Sequence, residues 1–108
     1  MSVVKFKQLE YKKKRERVFY KSITGQNVQL CVFRLEKNEK TDHSHEFEQM
    51  GYILSGEVEV FIGDNVYLLK TGDAYHIPSN MRHGFSVKTE APVEYIEIFS
   101  PPKPENIY

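Results

Sequence analysis

The chain has 108 residues, and its fifteen basic and fifteen acidic residues cancel to a formal net charge of zero. This length allows one hydrophobic core and no second domain, and the balanced charge gives no field that would direct the molecule to nucleic acid or acidic lipid. The only cysteine, Cys31, cannot form an internal disulfide, and no stretch approaches the ~20 apolar residues that span a membrane. We therefore expect a cytoplasmic protein that binds neither nucleic acid nor a membrane.

Short runs rich in valine, isoleucine, tyrosine and phenylalanine alternate with turn residues, and no segment has a sustained helical period. The runs predict nine strands, at residues 3–9, 18–23, 28–35, 49–54, 58–62, 66–69, 74–77, 84–87 and 93–99. The breaks between them contain residues such as Gly63, Asp64 and Asn65, which suit a tight hairpin with positive φ. Nine short strands with short connections predict an all-β fold in which two sheets form a jelly roll.

Two segments outside the central strands differ in composition from the rest. The only basic cluster, Lys12 to Arg15, lacks interleaved aromatic residues and predicts a solvated turn or an edge strand. After the last strand, three prolines between Ser100 and Glu105 cannot continue a central strand, because proline has no backbone N–H. We expect this proline-rich end to form a stiff strap over the mouth of the barrel or along a neighbouring molecule.

Three histidines and a glutamine predict a metal site. Side chains two positions apart on a β-strand share a face, so His43 and His45 could hold one ion together. The next predicted strand begins at Gln49, whose amide oxygen would face the same cavity. Turn residues at 77–80 reverse the chain just before His83, so a barrel could bring this histidine opposite the first two.

The kind of ligand limits which ions fit. Three imidazoles and one amide oxygen would leave a six-coordinate ion two positions for water or substrate, which is typical of a catalytic or ligand-binding metal. Nitrogen and oxygen ligands without a thiolate suit one divalent transition metal, with Mn, Fe, Ni, Co, Cu and Zn all admitted.

The last predicted strand carries the other candidate groups. In a strand Tyr95, Glu97 and Phe99 share one face, while Ile96 and Ile98 share the other. If the first face is the cavity face, a carboxylate lies beside the metal, with Phe99 as an apolar platform and Lys103 at the rim. In the alternative the isoleucines fill the core and Glu97 points to solvent, and the residues alone leave both open.

The histidine-containing blocks resemble the two motifs of the cupin family. Those motifs read His-x-His, three or four residues, Glu, six residues and Gly, then Gly, five residues, Pro-x-Gly, two residues and His. The matching residues here are His43, His45, Gln49, Gly56, Gly72, Pro78, Asn80 and His83. Gln49 replaces the usual glutamate, and Asn80 replaces a glycine that asparagine can imitate because it tolerates positive φ.

This resemblance implies a cupin double-stranded β-helix, a jelly-roll barrel, with residues 1–108 forming one domain. We divide it into N-terminal strands at 1–27, a metal-binding barrel at 28–100 and the C-terminal strap at 101–108. The family also implies a homodimer. His76 and Ser44 lie outside the ligand face of the motifs, and we expect both to be structural.

The end of the chain, residues 98–105, together with Gln49 and residues 73–78, resembles the small cupins of pectin and alginate breakdown. That family opens unsaturated uronates to linear keto acids, and its aspartate, phenylalanine and arginine match Glu97, Phe99 and Lys103. The resemblance implies an isomerase-like cupin in which Glu97 moves a proton, Lys103 pairs with the carboxylate of a sugar-derived acid, and Phe99 packs against the sugar. Tyr52 and Tyr75 are further candidates for sugar contacts.

Two other functions stay open at this stage. One is a binding module that holds a sugar or small acid without chemistry. The other is an iron-dependent dioxygenase, although oxygen chemistry at iron usually needs the carboxylate ligand that Gln49 replaces.

Overall fold

The computed structural model describes residues 3–108, and this part of the chain folds into one all-β domain without an α-helix. Nine strands follow in chain order: β1 Lys12–Arg15, β2 Val18–Thr24, β3 Gln29–Leu35, β4 Glu48–Ser55, β5 Glu57–Ile62, β6 Asn65–Lys70, β7 Ala74–Ile77, β8 His83–Ser86 and β9 Val93–Ser100. Two short 3-10 turns, Phe6–Gln8 and Pro104–Asn106, lie near the two ends. Within residues 3–108 no helix is long and apolar enough to cross a membrane.

The strands form two antiparallel sheets, as the sequence predicts. The larger sheet has the order β1-β2-β3-β9-β4-β7, and the smaller has the order β6-β5-β8. Buried and less buried residues alternate along β2, β3, β4 and β9, so one face of the larger sheet lines the interior. The apolar core between the sheets consists of Val18, Tyr20, Cys31, Phe33, Leu35, Ile53, Val58, Val60, Tyr75, Ile77, Phe85, Val87, Val93, Tyr95 and Phe99.

Eight of the nine predicted strands are present with ends that differ by no more than one residue, and the first prediction is wrong. Residues 3–9 contain the 3-10 turn Phe6–Gln8 and no strand, and Val3 is 86 % exposed. Apolar residues alone do not make a strand when no neighbouring strand offers hydrogen bonds. The basic segment β1 occupies the edge beside β2 instead, which agrees with the edge-strand interpretation of its lysines.

The turn before His83 has the predicted conformation. Asn80 has a φ of 66°, as expected of an asparagine that replaces the family's glycine. Its backbone N–H donates to the carbonyl of His45 at 2.7 Å, and His83 exchanges two backbone hydrogen bonds of 2.9 Å with His43. The two sequence motifs are therefore joined through the main chain, and this brings the histidines together.

We expect Gly84→Ala to lower the free energy of unfolding by about 3 kcal/mol, because the added methyl group has no room. A Cβ at Gly84 would lie 1.8 Å from the carbonyl oxygen of Thr41 and 2.4 Å from Cε1 of Phe61. Thr41 cannot retreat freely, since its backbone N–H donates to the carbonyl of Phe85 at 2.9 Å and its hydroxyl accepts from the N–H of Phe85 at 2.8 Å. Urea unfolding monitored by circular dichroism measures the loss.

Gly72→Ala is the matched control for this substitution. Gly72 has a φ of 93°, but in residues 3–108 no heavy atom beyond those of the glycine and its two chain neighbours lies within 4 Å of a Cβ built there. The control therefore carries only the backbone cost of a left-handed alanine, about 1–2 kcal/mol. If Gly84→Ala lost no more stability than Gly72→Ala, the close approach of Thr41 would not limit the residue at this position.

Candidate metal centre and ligand cavity

The three predicted histidines meet at one point of the barrel. His43 and His45 lie in the segment between β3 and β4, and His83 begins β8. The ring centroids are 4.5 Å apart for His43 and His83, 4.9 Å for His45 and His83, and 5.2 Å for His43 and His45. One ring nitrogen from each histidine lies within 4.8 Å of the other two, which is close enough for all three to share an ion. The segment that carries His43 and His45 is not a regular strand, because its pairing within residues 3–108 is limited to two isolated bridges, Lys40 with Ser86 and His43 with His83.

Backbone carbonyls orient two of these rings. Nδ1 of His45 lies 3.1 Å from the carbonyl oxygen of Phe47, and Nδ1 of His83 lies 2.8 Å from that of Met81. An Nδ1–H that donates to a carbonyl leaves the lone pair on Nε2, which is the usual arrangement of a metal-binding histidine. Both Nε2 atoms are buried and have no hydrogen-bond partner among the described residues.

The surroundings also keep the imidazoles neutral. Burial, followed by repulsion from His83, lowers the pKa of His43 to about 4. Burial is likewise the main cause that lowers the pKa values of His45 and His83. Neutral imidazoles at pH 7 are the form that binds metals.

Gln49 joins the histidines to the acidic part of the cavity. Its side chain is buried, and its Nε2 donates to Oε2 of Glu97 at 2.6 Å. Its Oε1 is buried without a partner in the described chain. The side chain of Gln49 also lies close to His45 and raises the pKa of that histidine, which partly offsets the lowering by burial. Three buried acceptors thus lack donors here, namely Oε1 of Gln49 and Nε2 of His45 and His83. Together with His43 they fit one divalent transition metal.

The register of β9 turns Glu97 inward. Glu97 lies opposite Cys31 of β3 and opposite Gly51 of β4, and it is 3 % exposed. Ile98, on the other face of the strand, is 38 % exposed. Of the two orientations that the sequence left open, the structure therefore has the carboxylate facing the cavity.

A tyrosine reaches Glu97 through the space at a glycine. Tyr75 of β7 lies opposite Gly51, and its hydroxyl donates to Oε2 of Glu97. A Cβ at Gly51 would lie 2.2 Å from this hydroxyl, so only glycine leaves room for the contact. Burial raises the pKa of Glu97 to about 7, while the hydrogen bond from Tyr75 and attraction to Lys103 act in the opposite direction. A carboxyl group with such a pKa can both accept and return a proton near neutrality.

A cavity opens beside these groups. Its free volume, including the mouth that opens to solvent, is about 440 Å³. Its walls are formed by Lys14, Arg15, Val18, Phe33, Leu35, Thr41, His43, Gln49, Phe85, Tyr95, Glu97, Phe99 and Lys103. The cavity thus combines one end of the histidine cluster, a buried carboxylate, aromatic faces and ammonium groups.

The two tyrosines predicted to contact a sugar do not line this cavity. Tyr52 is on the outer face of β4 and is 47 % exposed, because side chains alternate along the strand and Gln49 and Gly51 face inward. This is a correction to the prediction, since Tyr52 cannot reach the site. Tyr75 is buried beneath Glu97 and contacts its carboxylate, so it would orient the carboxylate rather than pack against a sugar.

Lys14 and Arg15 are cavity residues that the sequence did not indicate. Between β1 and β2 the pairs are Lys13 with Phe19 and Arg15 with Val18, which leaves Lys14 as an extra, unpaired residue. Such a bulge redirects side chains, and here two consecutive residues of an edge strand reach the cavity wall. A bulge depends on how the partner strand pairs, so the run of basic residues alone does not predict it.

The comparisons with known proteins agree with this fold. The family model described as "Cupin domain" matches residues 31–99. The chain is 36 % identical over 75 residues to the pectin degradation protein KdgF of Dickeya dadantii (strain 3937), which covers 68 % of this chain and 67 % of that protein.

Two solved structures share the same architecture. KdgF from Halomonas sp. has a TM-score of 0.89 at 21 % identity, with 99 % of each chain covered. An RmlC-like cupin from Shewanella frigidimarina has a TM-score of 0.86 at 20 % identity, with 94 % of this chain and 91 % of that chain covered. At these identities the two structures show a common fold and no more. The family model matches most of the chain and therefore also shows the family. The chain belongs to the cupin family.

Proposed function

We propose that this cupin is a metal-dependent isomerase that opens an unsaturated uronate to a linear keto acid. The observation that carries the proposal is the 2.6 Å hydrogen bond between Gln49 and Glu97. It joins a cluster of metal-type ligands to a buried carboxylate in the wall of one cavity. The similarity to a pectin degradation protein supports a sugar-derived acid as the ligand.

The metal would be held by His43, His45, His83 and Gln49, and it would supply a Lewis acid for a hydroxyl or carbonyl oxygen of the substrate. The support is the set of buried acceptor atoms without partners described above. Their nitrogen and oxygen chemistry is compatible with any of the divalent transition metals predicted from the sequence.

Glu97 would move the proton. Ring opening takes a proton from the anomeric hydroxyl, whose oxygen forms a carbonyl with the anomeric carbon as the bond from that carbon to the ring oxygen breaks. The ring oxygen becomes an enolate oxygen, and a proton returned to the double-bond carbon that does not carry this oxygen leaves a ketone. Tyr75 and Gln49 both donate to Oε2 of Glu97. Oε1 is left for the substrate, because no other side chain within residues 3–108 donates to Glu97. One carboxyl group could therefore serve as base and then as acid without a net change of protonation.

Lys103 and Phe99 would bind the sugar acid. Nζ of Lys103 lies 5.1 Å from the centre of the Phe99 ring, and both side chains line the cavity. The ammonium group would pair with the substrate carboxylate while the ring packs against an apolar face of the sugar. In the small cupins of pectin and alginate breakdown that the chain resembles, the two-pronged guanidinium of an arginine holds this carboxylate. The lysine found here offers a point charge instead, which restricts the geometry of the carboxylate less.

An activity assay tests this proposal. We expect protein loaded with a divalent transition metal to consume the double bond of an unsaturated uronate monosaccharide, followed by ultraviolet absorbance, and to form a linear keto acid, identified by nuclear magnetic resonance. Protein stripped by a chelator is the control and should be inactive until metal is returned. Tight binding without product would instead support a binding module, and oxygen consumption with Fe(II) would support a dioxygenase.

A further inference from the structure

One glutamate of the strap connects two lysines that line the cavity. Oε1 of Glu105 lies 3.0 Å from Nζ of Lys103, and Oε2 of the same carboxylate lies 3.6 Å from Nζ of Lys14. Both lysines belong to the cavity wall, whereas the side chain of Glu105 is 55 % exposed and lies on the solvent side. A single carboxylate therefore bridges two ammonium groups at the cavity.

Lys14 is held in this position by several contacts. It is the extra residue of the bulge in β1, and only 21 % of its side chain is exposed. Its Nζ donates to Oδ1 of the buried Asn106 at 2.6 Å and lies 5.7 Å from the centre of the Phe33 ring. These contacts hold the side chain of Lys14 in the cavity wall rather than in solvent.

Lys103 is held equally well. The buried side chain of Gln29 accepts from the backbone N–H of Lys103 at 3.3 Å and donates to its carbonyl at 3.0 Å. Its ammonium group lies between the rings of Phe99 and Phe47, at 5.1 Å and 5.7 Å. The two ammonium groups thus have defined positions before any ligand arrives, which reduces the entropy lost on binding.

The positive charges of Lys14 and Lys103 are only partly balanced by neighbouring carboxylates, which favours binding of an anion. Arg15, the third cation of the wall, is already paired with the buried carboxylate of Glu39. Within residues 3–108, Glu105 is the only carboxylate at ion-pair distance from Lys14 and Lys103, while Glu97 attracts both lysines from farther away in the same cavity. Burial, and to a smaller extent repulsion from Lys103, lowers the pKa of Lys14. A second carboxylate, or a better placed one, would relieve this repulsion.

We infer that Lys14 and Lys103 together bind the carboxylate of the ligand, and that Glu105 occupies their ammonium groups in the ligand-free protein as an internal competitor. The inference rests on the proposed function to the extent that it takes the ligand to be a sugar-derived carboxylate. Glu105 can leave for solvent at low cost, since it is half exposed and lies on a short turn. Lys14 then becomes a binding residue that selects carboxylated ligands over neutral sugars.

Binding of galacturonate, a saturated uronate that cannot undergo the reaction, tests this inference by calorimetry on the metal-loaded protein. We expect Lys14→Gln to weaken binding about tenfold, the effect of one charge-assisted hydrogen bond. Lys14→Arg, which keeps the charge, should retain most of the affinity, and Glu105→Gln should bind more tightly than the wild type. Lys13→Gln is the matched control on the same strand and should bind as the wild type does, because Lys13 is exposed and its one ion pair within residues 3–108 is with Glu16.

Each outcome decides something. Unchanged affinity in Lys14→Gln, or an equal loss in Lys14→Arg, would overturn the role of the Lys14 charge. Unchanged or weaker affinity in Glu105→Gln would overturn the competitor role of Glu105. Lys14-dependent galacturonate binding without turnover of unsaturated uronates would overturn the isomerase proposal and leave this inference intact. Turnover of unsaturated uronates by the wild type, together with unchanged galacturonate affinity in Lys14→Gln, would support the isomerase proposal and overturn this inference.

Discussion

Glu97→Gln is expected to lower turnover of an unsaturated uronate by about 10²- to 10⁴-fold while leaving the metal content unchanged, because the amide cannot shuttle a proton. The substitution preserves shape, and a glutamine oxygen can still accept the hydrogen bonds that Tyr75 and Gln49 direct at Oε2. Steady-state rates on metal-loaded protein, with metal measured by mass spectrometry, give the two quantities.

Glu94→Gln serves as the control for this experiment. Glu94 lies three positions earlier on β9 and accepts from the hydroxyl of Tyr11 at 2.6 Å, away from the cavity. It should retain turnover. If Glu97→Gln turned over substrate at the wild-type rate, Glu97 would have no part in the mechanism, and a group other than this carboxylate would have to move the proton.

His43→Ala and His83→Ala are each expected to remove the metal, whereas the wild-type protein should carry about one transition metal ion per chain. Loss of a direct ligand should weaken binding by more than the 10–100-fold typical of outer hydrogen-bonding partners. Metal content of protein purified without a histidine tag checks this. His43 is the more informative position, since it is more exposed to solvent than the buried His83 and its removal should leave the fold intact.

His76→Ala is the matched control for the metal experiment. His76 is exposed, pairs with Glu48 at 2.7 Å and lies outside the histidine cluster, so its removal should leave the metal in place. Retention of metal by His43→Ala would show that this residue is not a ligand. A wild-type protein that takes up no metal even on titration would make a plain binding role the leading interpretation.

The strands show where local sequence patterns suffice. From β2 to β9, β-branched and aromatic residues between turn residues predict each strand closely, because a half-buried strand needs that alternation. Residues 3–9 have similar composition but form no strand, and the lysines of β1 form one despite their polarity. At the ends of a sheet, the neighbouring strand decides whether a segment pairs, and composition carries no information about it.

In the candidate site, too, the sequence predicts some residues and leaves the placement of others undecided. His43, His45, Gln49 and His83 could be identified from their spacing, and the turn at Asn80 from its tolerance of positive φ. The direction of Glu97 could not, because both faces of β9 offered a consistent pattern and a shift of one residue reverses them. Pairing with β3 and β4 resolves it, as does the space at Gly51 through which Tyr75 reaches the carboxylate.

The sequence by itself determined the all-β class, the cupin family and the four candidate ligands, because alternation, turns and motif spacing are local properties of the chain. Only the tertiary structure decided that Tyr52 lies outside the cavity and that Lys14 enters its wall beside Lys103 and Glu105. These contacts join residues about ninety positions apart, through a bulge and a docked strap. The free energy that holds them comes from packing and pairing between distant segments, and no local pattern encodes it.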